Sequence, residues 1–412
     1  MLGTGSRRLL RAAVFGWLGA AAVSAQTAPV PAPLSYLQAL NLATSRNLAL
    51  AAARRQRAIR EAAIRSARQA PNPAVSFEVS RDTPHQVFSF DLPLELGGKR
   101  RRRIDLAIEE LTLADVDVQV ELRAVRRELR QAFYSLVASD ERVRLADSVR
   151  DIARRVRDAA QGRFDAGAVP RLEVLQADLG VIRADTDAEL ARSTRAADQA
   201  RLNAVLDLPP QQPQIPAGSL SEDSTTIGYD QALALALASN VDLIGLDRQI
   251  AIEQRRVDLL RAERVPTPVF SVGALFNNPP DFTVGPRAAV SVDLPIFSRN
   301  QGQIAEAVAT GALLRGQRDA TRRGIENSVY GTIARIEAQR RQVAAYRDRL
   351  VPTATDLEVL AEASYRAGRT SVLGVLDAQR SLRDLTREAL QAALDLQLSL
   401  ADLEEILGTS IQ

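Results

Sequence analysis

Two rhythms of apolar positions run through this chain, and both recur in the same order in its second half. From about residue 100 to 164, apolar or small residues keep a three-four spacing: Ile104, Ile108, Leu111, Val118, Leu122, Val125, Leu129, Ala132, Leu136, Val143, Ala146, Val149 and Val156. That spacing is a coiled-coil seam. At the α-helical rise, about 65 residues make a rod of roughly 100 Å. A return segment carries the seam back through Leu172, Leu175, Leu179, Ile182, Thr186, Glu189, Ser193, Ala197 and Ala200. A second hairpin goes out through Ile304, Val308, Gly311, Leu314, Ile325, Val329, Ile336, Val343 and Leu350, and comes back through Leu382, Leu385, Ala389, Ala392, Leu396, Ser399 and Leu403. Pro352 predicts a bend or break in the outgoing arm.

Ahead of each hairpin the period drops to two, the signature of strands with one apolar and one polar face. Val75, Phe77 and Val79 oppose Ser76, Glu78 and Ser80; Phe88, Phe90 and Leu92 oppose Ser89 and Asp91. In the second half, Phe270, Val272, Ala274 and Phe276 share a face, and Ala288, Val290, Val292 and Leu294 oppose Ser291 and Asp293. The predicted strands cover about 74–80, 86–93, 268–277 and 284–295. A single helix is expected before each pair, over about 34–69 and 229–264.

The landmarks themselves repeat. Tyr36-Leu37-Gln38-Ala39-Leu40 returns as Tyr229-Asp230-Gln231-Ala232-Leu233, Asn47 as Asn240, Asp91-Leu92-Pro93 as Asp293-Leu294-Pro295, and Phe164-Asp165-Ala166-Gly167 as Tyr365-Arg366-Ala367-Gly368. The chain therefore divides into a first repeat, 26–208, with its hairpin at about 100–208, and a second, 229–408, with its hairpin at about 300–408. The Pro-rich linker 209–228 joins them. Residues 1–25 read as an export signal: Arg7, Arg8 and Arg11, then an apolar stretch over 12–22, then Val23-Ser24-Ala25 before Gln26.

Composition removes several classes of function. The chain has no cysteine, which excludes disulfide staples and a lipid-anchored N-terminus. Charge is dense but balanced, with 53 Lys+Arg against 50 Asp+Glu, and the arginines are interleaved with acids along the helices. With aromatics at 4%, that is the pattern of solvated helix faces rather than of nucleic-acid binding. His85 is the one histidine, and no nucleophile–base pair or metal-ligand spacing is present. No enzyme activity, cofactor or metal site is expected. Gly97-Gly98-Lys99 lacks the upstream glycine and the following Ser or Thr of a phosphate loop.

Four strands cannot close a membrane barrel, which needs about eight or more, and an open sheet in lipid leaves its edge hydrogen bonds unmade. Sharing one barrel between copies resolves this. Two copies give a barrel filled by side chains, and three leave a lumen. With the apolar faces toward lipid, Ser76, Glu78, Ser89, Asp91, Ser291 and Asp293 face the barrel interior. A periplasmic coiled-coil adaptor or scaffold without a barrel is the alternative of a different class.

The duplicated layout, and Phe/Tyr-x-Ala-Gly followed by x-Val-Leu-x-Ala at both turns, resemble the TolC family of outer-membrane efflux proteins over about residues 34–408. The stretches Asp91 to Arg100 and Asp293 to Gly302 are most similar to its cobalt–zinc–cadmium branch. The resemblance implies a mainly α fold with a membrane β-barrel portion. It further implies a homotrimer with a 12-stranded barrel in outer-membrane lipid and a periplasmic α-helical barrel. A periplasmic adaptor and an inner-membrane resistance–nodulation–division pump are the implied partners, and heavy-metal cations the implied cargo. Drugs or secreted polypeptide on the same fold stay open. On this reading the two turns form the periplasmic tip, with Ala166, Gly167, Leu172, Ala367, Gly368 and Leu373 meeting the adaptor. Asp377 and Glu173 just beyond are the candidates for the pore aperture, each a ring of three like charges in a trimer. Gly374 stands where the fullest family pattern has its first acid, so one ring from that segment is expected, not two.

Overall fold

The computed structural model describes residues 33–220, 227–278, 280 and 282–409. The expected export signal, 1–25, and part of the linker, 221–226, lie outside the described residues. Each repeat unfolds in the same order: two short helices, a strand pair, and a long helical hairpin.

In the first repeat α1 (Tyr36–Arg46) and α2 (Leu48–Ala67) precede the strands; in the second, α5 (Tyr229–Ser239) and α6 (Val241–Ala262) do so. The single helix expected at each place is thus broken in two, at Asn47 and at Asn240. The cause is local chemistry. Each asparagine backbone leaves the helical region (φ −55°, ψ 126° and φ −65°, ψ 120°), and each side-chain oxygen accepts the first free N–H groups of the next helix. An asparagine cap competes with helix continuation in this way.

A small parallel pair, β1 (Leu34–Ser35) and β4 (Pro216–Ala217), ties the start of the first repeat to the linker. The main sheet is antiparallel in the order β2 (Ala74–Val79), β3 (Gln86–Pro93), β5 (Pro268–Asn278), β6 (Phe282–Val292). Its register sets Ser76 opposite Ser89, Ser89 opposite Gly273, and Gly273 opposite Arg287. Val75, Phe90, Val272 and Ala288 line up likewise on the other face. Phe77 is 62% and Val272 57% exposed, so the apolar face is bare in one copy. β2 and β6 are open edges. β6 ends at Val292 rather than 295, which leaves Asp293 beyond the last ladder pair.

The first hairpin is α3 (Lys99–Asp165) with α4 (Arg171–Val205), and α3 runs unbroken for 67 residues. The second is α7 (Gln301–Ala345), a π-helical turn at Tyr346–Leu350, α8 (Val351–Arg366) and α9 (Val372–Leu407). Pro352 therefore does not break the arm. Its missing N–H and its ring are accommodated by one widened turn just before it.

Burial corrects the expected seam on α4. Leu172, Leu175, Leu179 and Ile182, expected to face α3, are 50–61% exposed, and Leu190 is 65% exposed. The helix instead buries Ala177, Ala184 and Ala188. Small side chains let antiparallel helices approach closely, and the larger residues are left as an exposed stripe, of which Leu179 and Leu190 border grooves shared with α3 and α9. On α3 the seam residues Val125, Leu129, Ala132 and Leu136 are buried, but from Ala132 to Ser139 the helix is buried almost all round, wrapped by α1, α4, the linker and α9. An aromatic trio of Tyr36, Phe133 and Tyr134 fills that layer, with ring centroids 5.5–6.0 Å apart. Gln397, fully buried, donates to the Leu220 carbonyl at 3.2 Å and accepts from Arg130 at 3.3 Å, which binds the linker to α9 and α3. Among the described residues no helix is long and apolar enough to cross a membrane.

Candidate functional site

Both long outgoing arms end in the same turn. Gly167 (φ +70°) donates to the Phe164 carbonyl and Ala168 to Arg163; Gly368 (φ +73°) donates to Tyr365 and Arg369 to Ser364. This is the Schellman arrangement, which satisfies the last helical carbonyls and requires a left-handed residue at its centre. Nothing lies near either glycine's missing side chain. Conformation rather than space therefore selects glycine here. Ala166, Gly167, Ala367 and Gly368 are all exposed, as are Leu172 at 61% and Leu373 at 49%.

Behind the turns, α3, α4, α8 and α9 share a small core of Val156, Ala160, Ala177, Tyr365, Val372, Val375 and Leu376. Tyr365 is its centre and is 2% exposed. The Arg163 guanidinium sits 4.6 Å over its ring, and its hydroxyl donates to Glu173 Oε2 at 3.4 Å. Burial pushes the Tyr365 phenol above its usual range. Phe164, the matching residue of the other turn, is 38% exposed. Two residues that are equivalent by repeat thus have opposite environments. The one sign of this in the sequence is a hydroxyl present in one repeat and missing from the other.

The two aperture candidates differ. Asp377 lies in the second turn of α9 with a side chain 71% exposed, 3.4 Å from Arg380. Glu173 lies in the first turn of α4, half-buried, where the helix N-terminus favours a negative charge. Its carboxylate is already engaged by Tyr365, so it projects less freely than Asp377. Glu358 of α8 is 7% exposed, and desolvation, with Glu362 beside it, pushes its carboxyl upward. In sequence it reads as one more solvated helix acid.

In the sheet, the register sets Ser76, Ser89, Asp91 and Ser291 on one face with Glu78. The Ser76 and Ser89 hydroxyls are 2.7 Å apart, and Ser89 donates to Asp91 at 3.2 Å. Val87 and Leu275 stand opposite Glu78, so that end of the polar face is partly apolar. Among the described residues no three His, Cys, Asp or Glu side chains come together to hold a metal ion.

The model of the family described as "Outer membrane efflux protein" matches residues 39–207 and again 232–409, once in each repeat. The chain is 27% identical over 354 residues to the cobalt-zinc-cadmium resistance protein CzcC of Cupriavidus metallidurans, covering 85% of this chain and 84% of that one. Among solved structures, the outer membrane protein VceC of Vibrio cholerae superposes with a TM-score of 0.73 at 15% identity, over 92% of this chain and 97% of that one. The open state of the Neisseria gonorrhoeae MtrE outer membrane channel gives 0.71 at 19%, over 92% and 89%.

Proposed function

Because the chain belongs to the outer membrane efflux protein family, we propose that three copies of it close one channel, the passive exit duct of a tripartite pump for heavy-metal cations. Family membership sets aside the scaffold without a barrel. The observation that carries the trimer is what one copy leaves unmatched. The sheet ends in two open edges, β2 and β6, and α4 carries an exposed stripe of Leu175, Leu179, Ile182 and Leu190. In lipid, unpaired backbone groups cost several kcal/mol each, and an exposed coiled-coil stripe calls for a second helix. Pairing β6 of one copy with β2 of the next removes both edges. Three copies give twelve strands, enough to leave a lumen.

In this assembly Ser76, Glu78, Ser89, Asp91 and Ser291 line the lumen, with Asp293 at its periplasmic mouth. The tips, through Ala166, Gly167, Leu172, Ala367, Gly368 and Leu373, contact the periplasmic adaptor of a resistance–nodulation–division pump. Asp377 forms the charged ring at the aperture, with Glu173 behind it. The likeness to CzcC supports divalent metal as cargo, and a conduit has no need of a tight site for it. The test is a deletion strain challenged with cobalt, zinc and cadmium salts and with a drug panel, while the protein is extracted and run unheated on a denaturing gel. Metal hypersensitivity and a heat-labile trimer are expected. Drug hypersensitivity alone would reassign the cargo, and a monomer in every detergent would overturn the trimer.

A further inference from the structure

One groove among the helical hairpins has the wrong sign of charge for a metal cation. It runs along α3, between α4 and α9, and encloses about 480 Å³. Its floor is apolar: Leu145, Ala146 and Val149 of α3, all half-buried, with Ala184 and Ala191 of α4 beside them. Of its lining side chains, five are arginines and one, Asp187, is an acid. Arg142 comes from α3, Arg183 from α4, and Arg380, Arg383 and Arg387 from α9.

Part of that positive charge is left unspent. Arg383 is held by Asp384 at 3.0 Å and by Asp187 at 3.5 Å, and Arg380 by Asp377 at 3.4 Å. Arg387 reaches the same Asp384 at 3.8 Å, so two guanidinium groups share one carboxylate. Arg142 donates to a neutral partner, the Gln391 amide oxygen, at 2.8 Å. Arg183 is exposed and forms no ion pair among the described residues.

A cleft of this sign concentrates anions and repels divalent cations. Guanidinium groups are weakly hydrated and present paired donors that match carboxylate, sulfonate or phosphate oxygens. A bare inorganic anion would leave the apolar floor in water, and covering that floor contributes about 25 cal/mol per Å². One turn of a partner helix, about 10–12 Å across with a pitch of about 5.4 Å, would already fill the groove. Its size and its mainly apolar lining with a few placed charges are those of a small-molecule site.

We propose that this groove binds an amphiphilic organic anion. Arg183 and Arg387 hold the charged head, and the apolar body lies on Val149, Ala146 and Leu145, pointing toward Thr194. The ligand bridges α4 of the first hairpin to α9 of the second, two arms joined there by Arg383 and Asp187. All its walls come from one copy, so the site rests neither on the trimer nor on the cargo.

The test puts a tryptophan at the far end of the groove: Thr194→Trp, with Trp17→Phe so that it is the only indole. Thr194 lines the groove, is exposed, and bonds back to the Leu190 carbonyl of its own helix. It stands about 16 Å along α4 from Arg183. The assembled protein, in lipid nanodiscs, is titrated with ω-bromodecanoate and with ω-bromodecyltrimethylammonium, which share a tail and differ in the sign of the head. The anion should quench saturably at a roughly ten-fold lower concentration than the cation, a difference of about 1.4 kcal/mol. Arg183→Gln with Arg387→Gln should abolish that preference. Asp187→Asn removes the lining acid and should tighten anion binding several-fold, a gain that misfolding does not mimic. Equal quenching by the two probes, or none below their micelle concentrations, would overturn the site. So would emission that is blue-shifted and shielded from both probes, because a second copy would then fill the groove. An unchanged preference in the double glutamine variant, or no gain in Asp187→Asn, would overturn the role given to the arginines.

Discussion

Asn240 and Ile406 join the two ends of the second repeat: the asparagine side chain donates to the isoleucine carbonyl, in the last turn of α9, at 2.9 Å. Asn47 does the same to Val205, at the end of α4, at 3.3 Å. The other side of each amide caps the following helix. One residue thus stops a helix, starts the next and ties down the returning arm. Asn240→Ala loses all three, and the expected cost is about 1–3 kcal/mol. Asn240→Asp keeps the cap acceptor and loses the donor, so it should fall between. Thermal denaturation in detergent, with hydrogen exchange at the first turn of α6, measures both. Wild-type values for Asn240→Ala would contradict this role.

Gly273 lies where β5 passes closest to β3. A side-chain carbon there would stand 1.9 Å from the Phe88 carbonyl oxygen, a backbone atom that no rotamer change can move. Gly273→Ala should therefore cost about 3 kcal/mol or more and sharply reduce the yield of trimer. Gly324→Ala is the contrast. It sits exposed in α7 with open space around it, and the gain in helix propensity predicts stabilisation of about 1 kcal/mol. Trimer bands on unheated gels and melting midpoints of the two variants check the pair.

Tyr36 sets an alkaline limit on stability. Burial, followed by the nearby Glu404, raises its phenol from 10.0 to about 12. The folded protein therefore holds this proton more tightly than the unfolded chain does. The contribution is complete below pH 10 and is lost as pH rises from 10 to about 12. Its size is on the order of 3 kcal/mol, two pH units at about 1.4 kcal/mol each. Unfolding followed by circular dichroism across that window should lose the corresponding part of its pH slope in Tyr36→Phe. An unchanged slope would contradict the assignment.

Asp377 and Glu173 should separate electrically. Asp377 is exposed and loosely paired with Arg380, whereas Glu173 is engaged by Tyr365. Asp377→Ala is expected to change single-channel conductance and block by divalent cations in planar bilayers. Glu173→Gln should have the smaller effect, and Tyr365→Phe, which frees Glu173, should increase cation block. Unchanged conductance and cation sensitivity in Asp377→Ala would remove it from the aperture.

Much of the fold was legible along the chain because helices and strands write their periods locally. The duplication, the strand pairs and their faces, the long rods and the two glycine turns all follow from spacing. Asn47 and Asn240 were visible as repeated landmarks and the break each makes is local, but the tie each makes to the returning arm depends on a carbonyl more than 150 residues away. The stripe of α4 was legible as a seam, yet its direction was not. Spacing gives the angle between residues on one helix and leaves open which neighbour that face meets, and here it is the alanines that are buried.

The site divides in the same way. Turn chemistry marked Gly167 and Gly368, and alternation marked Ser76, Ser89 and Asp91, because both depend on backbone geometry over a few residues. The burial of Tyr365 and Glu358 and the hold on Glu173 arise where four helices converge. The sequence by itself determined the elements, their order and their doubling. Only the tertiary structure decided which charges are spent on partners within the chain and which apolar surfaces stay uncovered, because burial is a property of what packs against a residue and not of the residue's own place in a pattern.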